Sequence, residues 1–220
     1  LVGDSLGMVV LGFPDTTHVT LDHMLHHVEA TARGVKNALL VGDMPIHSYD
    51  TVEQAVQSAK KLFLAGADAV KLEGGAAQAG NIRAIVDACI PVVGHIGLLP
   101  QKVLEEGGYK IKGKSSAEEE ALVRDVEAVA EAGACAVVVE GVTPHAARQV
   151  TVHSSIPTLG IGSGSHTCDG DVVVIHDLVG AFPWFIPAFV KPRADVAGSM
   201  TAAVKEWMED CYTDPGSISS

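Results

Sequence analysis

The sequence predicts an α/β fold: a parallel (β/α)8 TIM barrel whose first strand and helix are missing from the chain. Three observations lead there. Short runs rich in Val, Ile and Leu recur along the 220 residues. They lack the in/out alternation of a half-exposed sheet, which marks strands covered on both faces. Longer helix-like stretches separate most of them, and the composition, 47% hydrophobic with only 5% aromatic residues, suits small branched strands under Ala-rich helices. The length suits one domain spanning 1–220, with a C-terminal helix and tail from about residue 192.

The chain opens with LVGDSLG, an apolar strand that stops on Asp4 and Ser5. A helix follows near Asp22 to Arg33, and ALLVGDM is the next strand, ending at Asp43. The stretch Thr51 to Ala65 reads as a helix, because Thr51 with Gln54 three residues on resembles a capping box. AGAD then looks like a helix C-terminus turning into the strand DAVKLEGG, and AGAC repeats that signal after the helix Ala117 to Ala132. PVVGHIG, AVVVEGV, PTLGIGSG and VVVIHDLVG supply the remaining strands. Seven strands are one short of a closed barrel. An open doubly wound sheet is the alternative, yet the first βα turn lacks the G-x-G-x-x-G fingerprint such folds often carry. If LVGDS is the second strand, one preceding strand and helix complete the barrel and account for the absent initial Met.

A formal charge of −12 works against phosphate backbones and anionic membranes, so no nucleic acid or membrane partner is expected. The most apolar long stretch, VVVIHDLVGAFPWFIPAFV, holds His176, Asp177 and two prolines and fails as a membrane span. Cys89, Cys135, Cys168 and Cys211 form no CxxC pair. A reducing compartment fits, and with no signal peptide visible the expected location is the cytoplasm, or the mitochondrion in a eukaryote.

In barrels the reactive residues stand where strands end and βα loops begin. Those positions hold Asp4 and Ser5, Asp43, Lys71 and Glu73, His95, Glu140, Ser163 and Asp177. A carboxylate at one such end commonly caps the next helix. Four carboxylates on one rim repel each other unless a cation neutralises them, and oxygen ligands suit Mg²⁺ better than Zn²⁺. Asp4 and Asp43 end adjacent strands and are the first candidates for metal ligands. Lys71 and Glu73 lie two apart and leave one face of their strand, so one can hold a substrate anion while the other supports the metal or its waters. A plain local ion pair is the competing reading. His23, His26 and His27 have helical spacing, and a zinc site there competes with an ordinary helix face. GIGSG lacks the Lys of a P-loop, and its glycines suit tight turns.

The blocks VGDSLGMVVLG, THVT with the stretch to Gly34, LLVGDMP, VKLEGG, PVVGHIGLLPQ, GGYKIKGK, VVVEGV, GIGSG, CDGDVVVIHDLVG and FVK resemble, in order and spacing, the ketopantoate hydroxymethyltransferase family. This is also called the 3-methyl-2-oxobutanoate hydroxymethyltransferase family, and the likeness is read from Leu1 to about Lys191. The resemblance implies a (β/α)8 barrel, a homodecamer, and Mg²⁺. It implies transfer of a one-carbon unit from 5,10-methylenetetrahydrofolate to 3-methyl-2-oxobutanoate through an enolate, giving 2-dehydropantoate in pantothenate synthesis. By motif, Asp4 and Asp43 resemble metal ligands and Glu73 the carboxylate supporting the metal through water. Ser5, Lys71 and His95 resemble oxo-acid contacts, with Asp43 touching substrate too, and Glu140 resembles the general base.

The loop carrying Lys110, Lys112 and Lys114 has two readings of equal weight: it attracts the anionic folate tail, or it is a solvated loop that is only mobile. Ala188 stands where the family commonly has a basic residue, and the DPGSISS ending departs from its pattern. Two rivals are weighed. A Mg²⁺-dependent 2-oxo acid lyase of the isocitrate lyase or phosphonopyruvate type shares barrel and metal, but its KKCGH-like motif is absent. A non-catalytic barrel subunit would have no need to retain all the strand-end residues together.

Overall fold

The computed structural model describes residues 1–213, so the DPGSISS ending lies outside the described residues. The chain divides into two compact units, one from Leu1 to Val172 and one from Val173 onward.

The first unit repeats strand and helix as the hydrophobic runs predict. After Val2 come α1 (Leu6–Val9), α2 (Leu21–Gly34), β1 (Val41–Asp43), α3 (Val52–Leu64), β2 (Ala69–Lys71), α4 (Ala79–Asp87) and β3 (Val92–Gly97). Then follow α5 (Ser116–Glu131), β4 (Ala136–Glu140), α6 (Pro144–His153), β5 (Thr158–Ile161) and β6 (Gly170–Asp171). Local chemistry sets the helix ends. Thr51 accepts from the Gln54 amide to start α3, Ser115 from Glu118 to start α5, and Thr143 from Ala146 to start α6, each satisfying an amide that has no partner inside the helix. Gly66 and Gly133, at φ 106° and 98°, end α3 and α5 in the left-handed region that an L side chain resists, as AGAD and AGAC foretell.

All six strands are parallel, in the order β1-β2-β3-β4-β5-β6, and Val2 adds a parallel bridge to Gly42 beside β1. A doubly wound sheet reverses its strand order at a switch point. Here every strand pairs with its neighbour in sequence, the winding of a barrel. Among the described residues the sheet is singly wound and has six strands, so the expected α/β winding is found whereas an eight-stranded closure is not.

Parity along the strands separates two faces. Val70, Val92, Ile96, Val137 and Val139 join the core with Val28, Leu62, Ile82, Ile85, Val126 and Val129 of the helices. Gly94 belongs to that face, since a Cβ there would lie 2.4 Å from Val129. The opposite parity carries Asp43, Lys71, His95 and Glu140. One alternation therefore builds both core and candidate site.

The run VVVIHDLVG departs from its expected strand. Only Gly170 and Asp171, just before it, pair with Leu159 and Gly160 of β5. Beyond them the template ends, because β5 stops at Ile161 and Gly162 turns away at φ 62°. The second unit takes up the rest of that run, with α7 (Ile175–Leu178) and the longer α8 (Val196–Thr213). Asp177 is consequently a buried helical residue rather than the end of a strand. No helix among the described residues is long and apolar enough to cross a membrane.

Candidate active site

Register brings the strand-end residues together. Asp43 and Lys71 are direct partners across β1 and β2, and the Lys71 ammonium sits 2.6 Å from Asp43 Oδ1. The other oxygen, Oδ2, accepts the Asp4 amide at 3.1 Å. On β3 and β4, Gly97 faces Glu140, which leaves His95 diagonal to that carboxylate with Nε2 3.3 Å from Glu140 Oε2. On its other side His95 Nδ1 lies 3.6 Å from Glu73 Oε1. The first contact lacks hydrogen-bond alignment and the second is too long for a hydrogen bond, so both ring nitrogens and Glu73 Oε1 are buried without one. Ser5 starts α1, half-buried, and its side chain makes no capping bond.

Asp4, Asp43, Lys71, Glu73 and His95 are all buried, whereas the Glu140 side chain is 23% exposed. Burial has electrostatic consequences. It pushes the Asp4 carboxyl up to about 7, and the negative charge of Asp43 adds to the push against Lys71 and the Gln101 hydrogen bond. Glu73 is raised well above the ordinary carboxylate range, again by burial first, with Asp4 and Asp43 opposing the pull of Lys71. Burial alone would lower Lys71, but Asp43, Glu73 and Asp4 outweigh it and hold the ammonium charged. His95 is pushed down by burial and by Lys71, which favours neutral imidazole. Three buried carboxylates thus face one buried ammonium.

Gln101 and Tyr49 belong to this cluster and were not singled out from sequence. Gln101 sits on the turn Pro100–Lys102 after β3 and donates through Nε2 to Asp4 Oδ2 at 2.8 Å and to the Met44 carbonyl at 3.0 Å. Its backbone amide donates to Glu73 Oε2 at 3.1 Å, and Tyr49 donates its hydroxyl to the Gln101 amide oxygen. The available signal was a lone amide side chain in the otherwise apolar LLPQ turn directly after His95.

Other sequence candidates fall elsewhere. Ser163 is buried and donates to the Val139 carbonyl at 2.6 Å, tying the end of β5 to β4. His23 serves as the capping partner of Thr20, and His27 Nδ1 meets the His23 carbonyl. A zinc site on α2 is therefore not formed. Lys112 is anchored just after Glu140, donating its amide to Gly141 at 3.0 Å and pairing its ammonium with Glu106. A surface groove of about 510 Å³ between α5 and α6 holds none of the strand-end residues.

Among the described residues no three His, Cys, Asp or Glu side chains are grouped to hold a metal ion unaided. Mg²⁺ does not require such a cage, since it commonly takes one or two carboxylates and fills its remaining positions with water and substrate oxygens. Asp4 and Asp43 provide that oxygen chemistry. Asp4 Oδ1 accepts no hydrogen bond among the described residues, and Asp4 and Glu73, which burial raises toward the neutral form, are carboxyls that a hard cation would hold ionised. The donor set fits.

The sequence profile described as ketopantoate hydroxymethyltransferase matches residues 1–215, so the likeness continues past Lys191 into α8. The 3-methyl-2-oxobutanoate hydroxymethyltransferase of Clostridium beijerinckii is 48% identical over 96% of this chain and 77% of its own length. That of Moorella thermoacetica is 49% identical over 96% and 78%, and that of Cenarchaeum symbiosum 49% over 93% and 78%. Among solved structures, 2,3-dimethylmalate lyase, a PEP mutase/isocitrate lyase superfamily member, superposes with TM-score 0.61 at 18% identity, covering 99% of this chain and 75% of its own. Phosphonopyruvate hydrolase, solved with oxalate and Mg²⁺, gives 0.59 at 14% identity, covering 98% and 76%. At such identities these two speak to the fold alone.

Proposed function

The chain belongs to the ketopantoate hydroxymethyltransferase family, and from that premise we propose that it transfers a hydroxymethyl group from 5,10-methylenetetrahydrofolate to 3-methyl-2-oxobutanoate, forming 2-dehydropantoate. The observation that carries the reading is the buried set of three carboxylates, Asp4, Asp43 and Glu73, against the single Lys71 ammonium. Such a site has room in its charge balance for a divalent cation. Asp4 and Asp43 would hold Mg²⁺ directly, with Glu73 accepting from its waters. Bound there, Mg²⁺ would supply Lewis-acid charge to the carboxylate and keto oxygens of the oxo acid.

The chain's own residues divide the remaining work. Lys71 stays charged and gives the anionic substrate a fixed positive contact, while the free hydroxyl of Ser5 donates to it. Removing the C3 proton creates negative charge that must be met by positive charge already in place. Glu140 is the base: it is partly exposed, its strand β4 is separated from Asp43 on β1 by two strands, and its side chain is not paired with Lys71, which meets Asp43. Neutral His95 lies against Glu140 and limits its movement. This reading extends to a closed (β/α)8 barrel and a homodecamer. The second unit supports assembly with exposed Trp184, Phe185 and Phe189, apolar surface of the kind that marks interfaces.

Exchange of the C3 proton of 3-methyl-2-oxobutanoate in D₂O isolates the first step without folate. Mg²⁺-dependent exchange is expected in the wild type and at least about a hundredfold less in Glu140→Gln. Equal exchange in the variant would remove Glu140 from the base role.

A further inference from the structure

Gln101 is the neutral side chain at the centre of the buried charges, and its bonds decide how two of the carboxylates are held. Both Nε2 protons are committed, one to Asp4 Oδ2 and one to the Met44 carbonyl. The amide oxygen accepts the Tyr49 hydroxyl. A flipped amide would turn its oxygen toward Asp4 and the Met44 carbonyl, setting three acceptors together with no proton among them in the ionised form of Asp4 that binds a cation. The Asp4 carboxylate and the Met44 carbonyl therefore select the observed orientation, and the buried Tyr49 hydroxyl completes it by donating to the amide oxygen. Meanwhile the Gln101 backbone amide holds Glu73 Oε2 at 3.1 Å.

Tyr49 is anchored in turn. Its carbonyl accepts Asn81 Nδ2 of α4 at 2.8 Å, and its side chain is 8% exposed. The network therefore runs from the loop after β1, through the turn after β3, to carboxylates at the start of the chain and the end of β2. Each contact fixes one oxygen of a carboxylate and leaves the other without a hydrogen bond: Oδ1 of Asp4 and Oε1 of Glu73.

We propose that Tyr49 and Gln101 are positioning residues, a relay in which Tyr49 fixes the Gln101 amide and Gln101 presents Asp4 Oδ1 and Glu73 Oε1 to the cation and its waters. The proposal rests on the Mg²⁺ reading above and names residues that act on the metal carboxylates without touching substrate. Outer partners of this sort typically change metal affinity ten- to hundredfold.

The test uses the full chain and Mn²⁺ as a spectroscopic probe, with Mg²⁺ as competitor. Tyr49→Phe and Gln101→Met are each expected to weaken Mn²⁺ binding about tenfold or more and to alter its EPR spectrum. Combined, they should weaken it no further than Gln101→Met alone, because Tyr49 acts through Gln101. Gln101→Glu keeps an acceptor for Tyr49 but aims an oxygen at Asp4, and should bind worst. Effects that multiply in the double variant would overturn the relay, as would an unchanged affinity and spectrum in Gln101→Met. Should Gln101→Met fail to fold, Tyr49→Phe, which removes a single oxygen, decides: an unchanged spectrum overturns the proposal. A wild type that binds neither ion would sink the metal reading instead. The relay would then be judged by urea unfolding of the same variants in EDTA, where non-additive losses uphold it and additive losses overturn it.

Discussion

Lys71 is the residue on which the charge balance of the site turns. Its ammonium faces Asp43 at 2.6 Å inside a site that also buries Asp4 and Glu73. Removing one partner of a buried pair strands the other, at roughly 3–5 kcal/mol. Lys71→Met is therefore expected to lower unfolding stability by about that much in EDTA at pH 8, read as a shift of the urea midpoint at unchanged slope. Asp4 gives a prediction of opposite sign. Its carboxyl titrates near 7 in the fold against an ordinary 3.8. A raised value means that its stabilising contribution is complete below 3.8 and is lost as pH rises through about 7. Asp4→Asn imitates the protonated form and keeps an oxygen for Gln101. In EDTA the variant should gain on the wild type from pH 4 to pH 7.5, by roughly 2–4 kcal/mol at the upper end. A gap independent of pH would contradict the assignment. Asp43, Lys71, Glu73, His95 and Glu140 were legible in the sequence because each is polar at the end of an apolar run. Gln101 and Tyr49 were not, since they reach the site from turns whose path only the fold determines.

At the scale of elements, strand parity and turn geometry carry different weights. The cap at Thr51 serves only its helix, as the bond from the Gln54 amide to the threonine hydroxyl is local. Thr51→Ala should lower stability by about 1 kcal/mol and leave turnover unchanged. Gly97 is another matter. It ends β3 at φ 95°, and a Cβ there would approach the Glu140 carbonyl oxygen to 2.3 Å. A backbone atom cannot swing aside as a side-chain tip can, and the same carbonyl accepts the Leu98 amide at 2.8 Å. Gly97→Ala is expected to displace the end of β4, reducing stability by roughly 1–3 kcal/mol and turnover at least about tenfold. Near-wild-type turnover would show that Glu140 does not depend on this close approach. Sequence foretold the Thr51 cap and the glycine-terminated turns, because both are written in neighbouring residues, although the caps at Ser115 and Thr143 went unread. It misread VVVIHDLVG, because strand length depends on the neighbouring strand as well as on the valines themselves. Once β5 turns at Gly162, Val172 makes the last bond to it, its amide donating to the Gly160 carbonyl, and Val173 and Val174 have no partner strand among the described residues.

Over the whole molecule, a formal charge of −12 confronts an anionic substrate. Two fields compete on its approach. The net charge repels it, whereas the Lys71 ammonium attracts it locally, and the 110–114 loop, which on one reading draws the folate tail, adds further positive charge. The loop attraction is weaker than the sequence suggests, because Lys112 is already paired with Glu106. Lys114, for its part, lies beside Glu118, whose carboxylate accepts the Lys114 amide at 2.8 Å. Lys71 is buried, so salt screens it little, while the dispersed surface charges are screened over about 8–10 Å at physiological ionic strength. Raising NaCl from 10 to 150 mM should accordingly remove more repulsion than attraction. The KM for 3-methyl-2-oxobutanoate is expected to fall about two- to fivefold, with kcat little changed. Lys110→Glu adds to the repulsive field and should steepen that dependence, whereas Lys71→Met should raise KM at every salt concentration without changing the slope. A KM that rises with salt in the wild type would mean that the lysine loop governs approach in spite of the net charge.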